Sequence, residues 1–305
     1  MRSAHLPDAA RYWRTPLLPD ADLVTASYRE HRFAPHWHEA YTVPVIESGA
    51  ERYTYRGGRR LADTGSVPII NPGEVHTGSR ATEDGWRYRV SYVPVAFLRA
   101  LADEIAGSPQ SEPWFPDDAI HDADCARRLV IAHRLLEAGG VAAEAHGHDG
   151  ELADVALAAA PFASGGGADP LAAETALLDA LSTLLVRHAL SRPRAGAPAA
   201  DEPRVARMRE RLAADLLGPA TLAEVAQAAG LSPFHAARLF TRSTGMAPHA
   251  WRNQLRLQRA LAPLRAGVAV AQVAAASGFV DQSHFTRHFK RMFGVPPGRW
   301  QGERS

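Results

Sequence analysis

The chain has 305 residues, 46% hydrophobic and 22% charged, which supports two domains with buried cores and excludes a wholly disordered chain. Its single cysteine, Cys125, excludes an internal disulfide and a cysteine-rich zinc site and fits a reducing, cytoplasmic setting. Net charge is only +1, yet residues 203–305 hold 14 Arg and 1 Lys against 5 acidic residues, leaving +10 there and −9 elsewhere. That asymmetry is expected where one part of a chain meets phosphates, although a solvated basic face would look the same.

The first residues contain no apolar core of a signal peptide, and no stretch reaches eighteen uncharged apolar residues, so neither export nor a membrane span is expected. Residues 1–30 read as irregular, spaced by Pro7, Pro16 and Pro19. From Arg32 to Val95 the texture is β. Short runs rich in β-branched and aromatic residues alternate with Gly49, Gly57-Gly58, Gly65, Pro72-Gly73 and Gly85, which predicts a sandwich or small barrel.

Helical spacing follows over Ala96–Ala106, His121–Ala138 and Ala172–Leu190. In the last of these, Leu177, Leu178, Leu181, Leu184 and Leu185 form a stripe that suits either an internal core or a dimer seam. A Gly/Ala-rich stretch from Gly139 to Gly167 predicts one short helix among loose connections, and residues 191–203 read as an interdomain linker.

The last hundred residues repeat themselves. Ala-Glu-Val-Ala-Gln-Ala-Ala-Gly at 223–230 returns as Ala-Gln-Val-Ala-Ala-Ala-Ser-Gly at 271–278. Beyond one inserted residue, His235, Arg238, Phe240, Arg242, Gly245, Pro248 and Trp251 return as His284, Arg287, Phe289, Arg291, Gly294, Pro297 and Trp300. Each copy parses as helix, turn, helix. Gly230 and Gly278 end the first helices, Ser232 with Pro233 starts one second helix, and Asp281 caps the other. Pro248–Leu264 reads as a connecting helix with Trp251, Leu255 and Leu261 inward.

A helix-turn-helix sets its second helix into the major groove, where Arg can pair with guanine and Gln with adenine. Two on one monomer should meet successive grooves roughly 34 Å apart. A helical repeat serving protein contacts is the alternative.

Residues 204–302 closely resemble the AraC/XylS family of regulators, most specifically from Leu222 to Phe240 and from Ala274 to Trp300. The resemblance implies base reading by Phe234, Ala237 and Arg238 in the first copy and by Gln282, Ser283, Thr286 and Arg287 in the second. Ala237 departs from a reading role, because it can only touch a thymine methyl or leave room; Arg238 and His235 would then carry that helix. Arg242, Lys290 and Arg291 are placed as phosphate contacts.

Many such regulators carry a cupin-like sensory domain in front, and the β-rich part resembles one through His36-Trp37-His38-Glu39 and Asn71-Pro72-Gly73-Glu74-Val75-His76. In metal-dependent cupins three histidines and a glutamate hold a divalent ion. His36, His38 and His76 stand where those histidines would be, but Thr42 and Val43 occupy the glutamate's place, with Glu39 or Glu74 as substitutes. The histidines could equally bond within the barrel or meet a small effector, together with Tyr41, Tyr53 and Trp86.

The expected architecture is a two-domain α+β chain. Residues 1–190 form a β-sandwich or cupin-like barrel (about 25–95) with following helices (about 96–190), and 204–305 form an all-α double helix-turn-helix domain. The expected function is non-enzymatic transcription regulation. Promoter DNA, a small effector, RNA polymerase and a second copy of the chain are the expected partners; no cofactor is required, and a divalent metal is an option. A fused cupin enzyme would need a complete metal site, and an alkylation-repair regulator would need several cysteines.

Overall fold

A computed structural model gives the fold over residues 8–139, 141–142, 169–191, 201–293 and 296–302. The chain forms two compact units, one of residues 1–164 with 176–196, the other of residues 165–175 with 197–305. The short helix expected between Gly139 and Gly167 and most of the expected linker lie outside the described residues.

The first unit opens with β1 (Ala9–Arg14) and β2 (Leu23–Tyr28), followed by β3 (Arg32–His36), β4 (Tyr41–Tyr55), β5 (Gly58–Asp63), β6 (His76–Arg80) and β7 (Trp86–Val93). Then come α1 (Val95–Ala106), α2 (Ala123–Gly139), β8 (Val141–Ala142) and α3 (Pro170–His188), whose residues up to 175 are counted with the second unit. Strand order is β3-β6-β4-β7-β2-β1-β8, with β5 also paired to β4. The first two strands replace the irregular segment expected before residue 30. Nearly every residue of β2 is buried, so it shows no two-residue alternation and escapes a pattern search.

The fifteen-residue β4 shapes the sheet. Its first part pairs with β7, its last part with β5 and β6, and the register shifts between Ile46 and Ser48. Gly49 follows at φ 72°, where a Cβ would lie 2.1 Å from the Gly85 carbonyl oxygen. Only glycine allows this conformation and this approach. Beyond the bend β4 alternates strictly, burying Glu51, Tyr53 and Tyr55 and exposing Arg52 and Thr54.

Helix α2 docks on the sheet through polar groups. The Arg89 guanidinium, buried on β7, donates to Glu47 on β4, Thr25 on β2, and His133 Nδ1 and Glu137 on α2. His133 Nε2 donates to the Val90 carbonyl. Burial and the neighbouring Arg89 push this imidazole down to about 4, so its neutral form accepts at one nitrogen and donates at the other. In α3 the leucine stripe is spent on the chain's own core: Leu177, Leu181, Leu184 and Leu185 are buried, which removes it as a dimer seam.

The second unit comprises α4 (Glu202–Ala214), α5 (Leu222–Ala229), α6 (Pro233–Thr244), α7 (Pro248–Arg265), α8 (Val270–Ala276), α9 (Gln282–Phe293) and α10 (Pro297–Gly302). Thr221 and Glu224 form a reciprocal capping box on α5, and Gly230 ends it at φ 64°. Leu257, Ala260, Leu264, Val273, Phe279, Phe285 and Phe289 make the core of the second copy.

Helix α7 differs from expectation. Trp251, Leu255 and Leu261 are only half-buried, and the fully buried face carries Arg252, Asn253, Arg256, Leu257, Ala260 and Leu264. Arg252 is 1% exposed. It donates to the Asp215 and Gly218 carbonyls, and Arg256 donates to that of Leu216 at 2.8 Å. Their aliphatic stems pack like apolar residues while the guanidinium forks satisfy the α4–α5 loop.

Candidate functional site

In the second unit, α6 and α9 are the second helices of the two repeats. Ser232 Oγ accepts from the His235 N–H at 3.3 Å, and Asp281 Oδ1 accepts from the His284 N–H at 2.6 Å. These caps fix where each helix starts and therefore which residues share its outer face. On α6, Phe234, Ala236, Leu239 and Phe240 are buried, His235, Ala237 and Arg238 are half-buried, and Arg242 is exposed. On α9, Phe285 and Phe289 anchor the helix; Gln282, Ser283, Arg287 and Lys290 are exposed and Thr286 is half-buried. The Phe234 ring is thus inside the unit beside His235. The side chain of Arg291 lies outside the described residues.

Three sets of basic residues stand out, apart from those on the outer faces of α4 and α7. Arg252 and Arg256 hold the fold together. Arg204 pairs with Asp201 and Arg211 with Glu224. Arg238, Arg242, Arg287 and Lys290 have no carboxylate partner among the described residues, and all four lie on α6 or α9. Unneutralised cations on two capped helices form a surface suited to phosphate and base edges.

In the first unit, β3 and β6 pair His36 directly with His76, and His38 follows two residues on. The imidazole centroids lie 4.3 Å (His36–His76), 4.9 Å (His36–His38) and 5.3 Å (His38–His76) apart. One nitrogen from each ring falls within 4.8 Å of the others, a cluster able to coordinate a metal ion. His36 Nδ1 donates to the Ala34 carbonyl at 2.8 Å and His76 Nδ1 to that of Glu74 at 3.1 Å, which turns each Nε2 outward as an acceptor. His38 Nε2 is buried without a partner. Burial, with the neighbouring imidazoles, pushes His38 and His76 down to about 4, so both rings are neutral at neutral pH.

Neither substitute glutamate joins the cluster. Glu39 is exposed, and Glu74 is engaged by Arg56, Asn71 and the Tyr55 hydroxyl.

Beside the histidines, a cavity enters the β-structure, lined by His36, His76 and Tyr53 but not by His38, Tyr41 or Trp86. Tyr41 donates its hydroxyl to the Pro113 carbonyl, and Trp86 packs in the core against Tyr28 and Tyr88. Sequence reasoning missed Phe33, Thr42, Glu51 and Tyr92 in the wall. The alternation Glu51-x-Tyr53-x-Tyr55 was the signal that could have found Glu51.

Comparison with known proteins divides the chain in the same way. The family described as AraC-like ligand binding domain matches residues 18–160, and that described as helix-turn-helix domain matches residues 225–303. The HTH-type transcriptional regulator YbfI of Bacillus subtilis is 23% identical over 83% of this chain and 81% of its own length. The transcriptional activator NphR of a Rhodococcus species is 31% identical over 58% of this chain and 54% of its own length. The regulatory protein ada of Salmonella typhimurium is 40% identical, but over 25% of this chain, which spans only 22% of that protein. A β-rich unit matched over residues 18–160 to the AraC-like ligand binding domain, followed by two capped helix-turn-helix units matched over residues 225–303 to the helix-turn-helix domain, gives this chain the two modules of AraC/XylS-type regulators.

Proposed function

We propose that the protein binds promoter DNA sequence-specifically through α6 and α9 and that a small effector in the cavity of the first unit modulates this binding. The observation that carries the reading is the pair of capped helices displaying Gln282 beside Arg238, Arg242, Arg287 and Lys290, whose charges have no carboxylate partner among the described residues. Arg287 and Gln282 are assigned to base edges, and Arg242 and Lys290 to phosphates. The same reading includes contact with RNA polymerase and pairing of two copies on repeated sites.

It assigns no catalytic step. Cys125 is buried with its thiol pushed up to about 12 by that burial, the opposite of a reactive thiolate.

The test is selection of bound fragments from random or genomic DNA, followed by sequencing. Two short elements about one helical turn apart should be enriched. Arg287→Ala should weaken the best site by about 1–3 kcal/mol and relax preference at one base pair. Equal loss on all sequences would defeat base reading by Arg287.

The histidine cluster favours an addition to this reading. His36, His38 and His76 would hold a divalent cation through their Nε2 atoms, a donor set suited to zinc, copper, nickel or iron. Such an ion would supply a Lewis-acidic anchor at the cavity mouth. Metal analysis of untagged protein should find about one equivalent, lost in His38→Ala; a metal-free protein that still binds effector would remove the ion from the reading.

A further inference from the structure

The cavity contains one acidic group with no partner among the described residues. Glu51 follows the β4 bend and is 9% exposed, and its carboxyl lines the cavity with Phe33, Thr42, Tyr53, Tyr88 and Tyr92. It has no hydrogen bond or ion pair among the described residues. The basic residue opposite it in register, Arg80, pairs with Glu30, and Arg89 is held by Glu47 and Glu137. No Lys or Arg lines the cavity.

The space for this carboxyl is built in. A Cβ at Gly78 on β6 would lie 2.3 Å from Glu51 Oε1 and 2.8 Å from Phe33 Cδ2. A second polar atom in the wall, Thr42 Oγ1, is likewise buried without a partner. A buried carboxyl left alone destabilises the fold, and burial here pushes it up to about 8. A fold that accepts this penalty beside an unused hydroxyl and a set of aromatic rings has the features of a ligand site.

The chemistry of the wall selects by charge. Beyond the histidines, an anion would meet an acid and no Lys or Arg. A neutral apolar ligand would leave both polar atoms unsatisfied. An ammonium group supplies N–H donors for the carboxyl and for Thr42 Oγ1, and its charge is attracted to the faces of tyrosine and phenylalanine rings. We propose that the effector is a small organic cation, a primary amine on a short apolar body, whose nitrogen binds Glu51 and Thr42 while its body lies among Phe33, Tyr53, Tyr88 and Tyr92. The assignment rests on reading this cavity as the effector site. Binding converts the neutral acid to a carboxylate, so one proton passes to the buffer for each amine bound.

The experiment is calorimetry on the full chain at pH 7, with n-butylamine, benzylamine and 2-phenylethylamine as probes. Alcohols of the same skeletons and phenylacetate are the controls. Amines should bind roughly tenfold to a hundredfold more tightly than the matching alcohols, and phenylacetate should not bind. The heat should change with buffer ionisation enthalpy, reporting proton release in the unaltered protein. Glu51→Gln should remove the preference for amines, and Thr42→Val should weaken it several-fold.

Binding of alcohols or phenylacetate as tightly as amines, unchanged amine affinity in Glu51→Gln, or no amine binding at all would each overturn the proposal. The regulator reading fails separately: amine binding without enrichment of any DNA sequence would leave the cavity assignment standing and remove the regulator. Enriched DNA with no amine bound would do the reverse.

Discussion

Glu51 makes a prediction about stability as well as binding. Its folded value, about 8, lies above the ordinary 4.5, so between these values the folded chain holds a proton that the unfolded chain has lost. Stability should therefore fall as pH rises through that window. Of the titratable groups nearest the carboxyl, Tyr28, Tyr53, Tyr88 and Tyr92 are held above their ordinary range by burial and stay neutral, whereas His76, pushed down to about 4, works in the opposite sense below its ordinary 6.5, so the Glu51 effect is cleanest between 6.5 and 8. Glu51→Gln should raise Tm, by more at pH 8 than at pH 5; an equal gain at both pH values would mean that the carboxyl is solvated. At this scale the sequence was only partly legible. His36, His38 and His76 stood out because three histidines sit in two short motifs, whereas Glu51 looks like any acid in a polar strand until β4 is bent and its inward face is known.

Among the elements, helix α7 shows where counting charges misleads. Arg252 and Arg256 enter the +10 of residues 203–305 yet face the α4–α5 loop, so they add little to the surface that meets DNA. Arg256→Met should leave the Leu216 carbonyl unsatisfied and cost about 1–3 kcal/mol, read as a lower urea midpoint with base preference intact. Arg287→Ala should give the opposite pair of results, and a variant of Arg256 that changed sequence preference would contradict this division. The helices of the repeat were legible because caps, turn glycines and apolar spacing all agreed. The face of α7 was misread because arginine stems filled places that a hydrophobicity pattern assigns to leucine. Strand β2 was missed because burial on both faces erases alternation, and β1, mostly half-buried, because the prolines around it suggest loops.

For the molecule as a whole, the order of a β-rich unit before a basic helical unit was legible from composition and charge alone. The location of each unit's polar sites was not, since it depends on pairings across the sheet and on which arginines turn inward. No helix among the described residues is long and apolar enough to cross a membrane. The two second helices belong to one chain and are not copies of each other at their outer faces: α6 offers Ala237 and Thr241 where α9 offers Thr286 and Lys290. A reader without internal two-fold symmetry gives its binding site a direction. Turning the site end for end turns the bound chain with it and points the first unit the other way along the duplex. In a reporter assay, an inverted site at unchanged distance from the promoter should retain binding and lose regulation. Regulation that survives inversion would mean that two copies bind as a symmetric pair, and the chain's own asymmetry would then be invisible to the promoter.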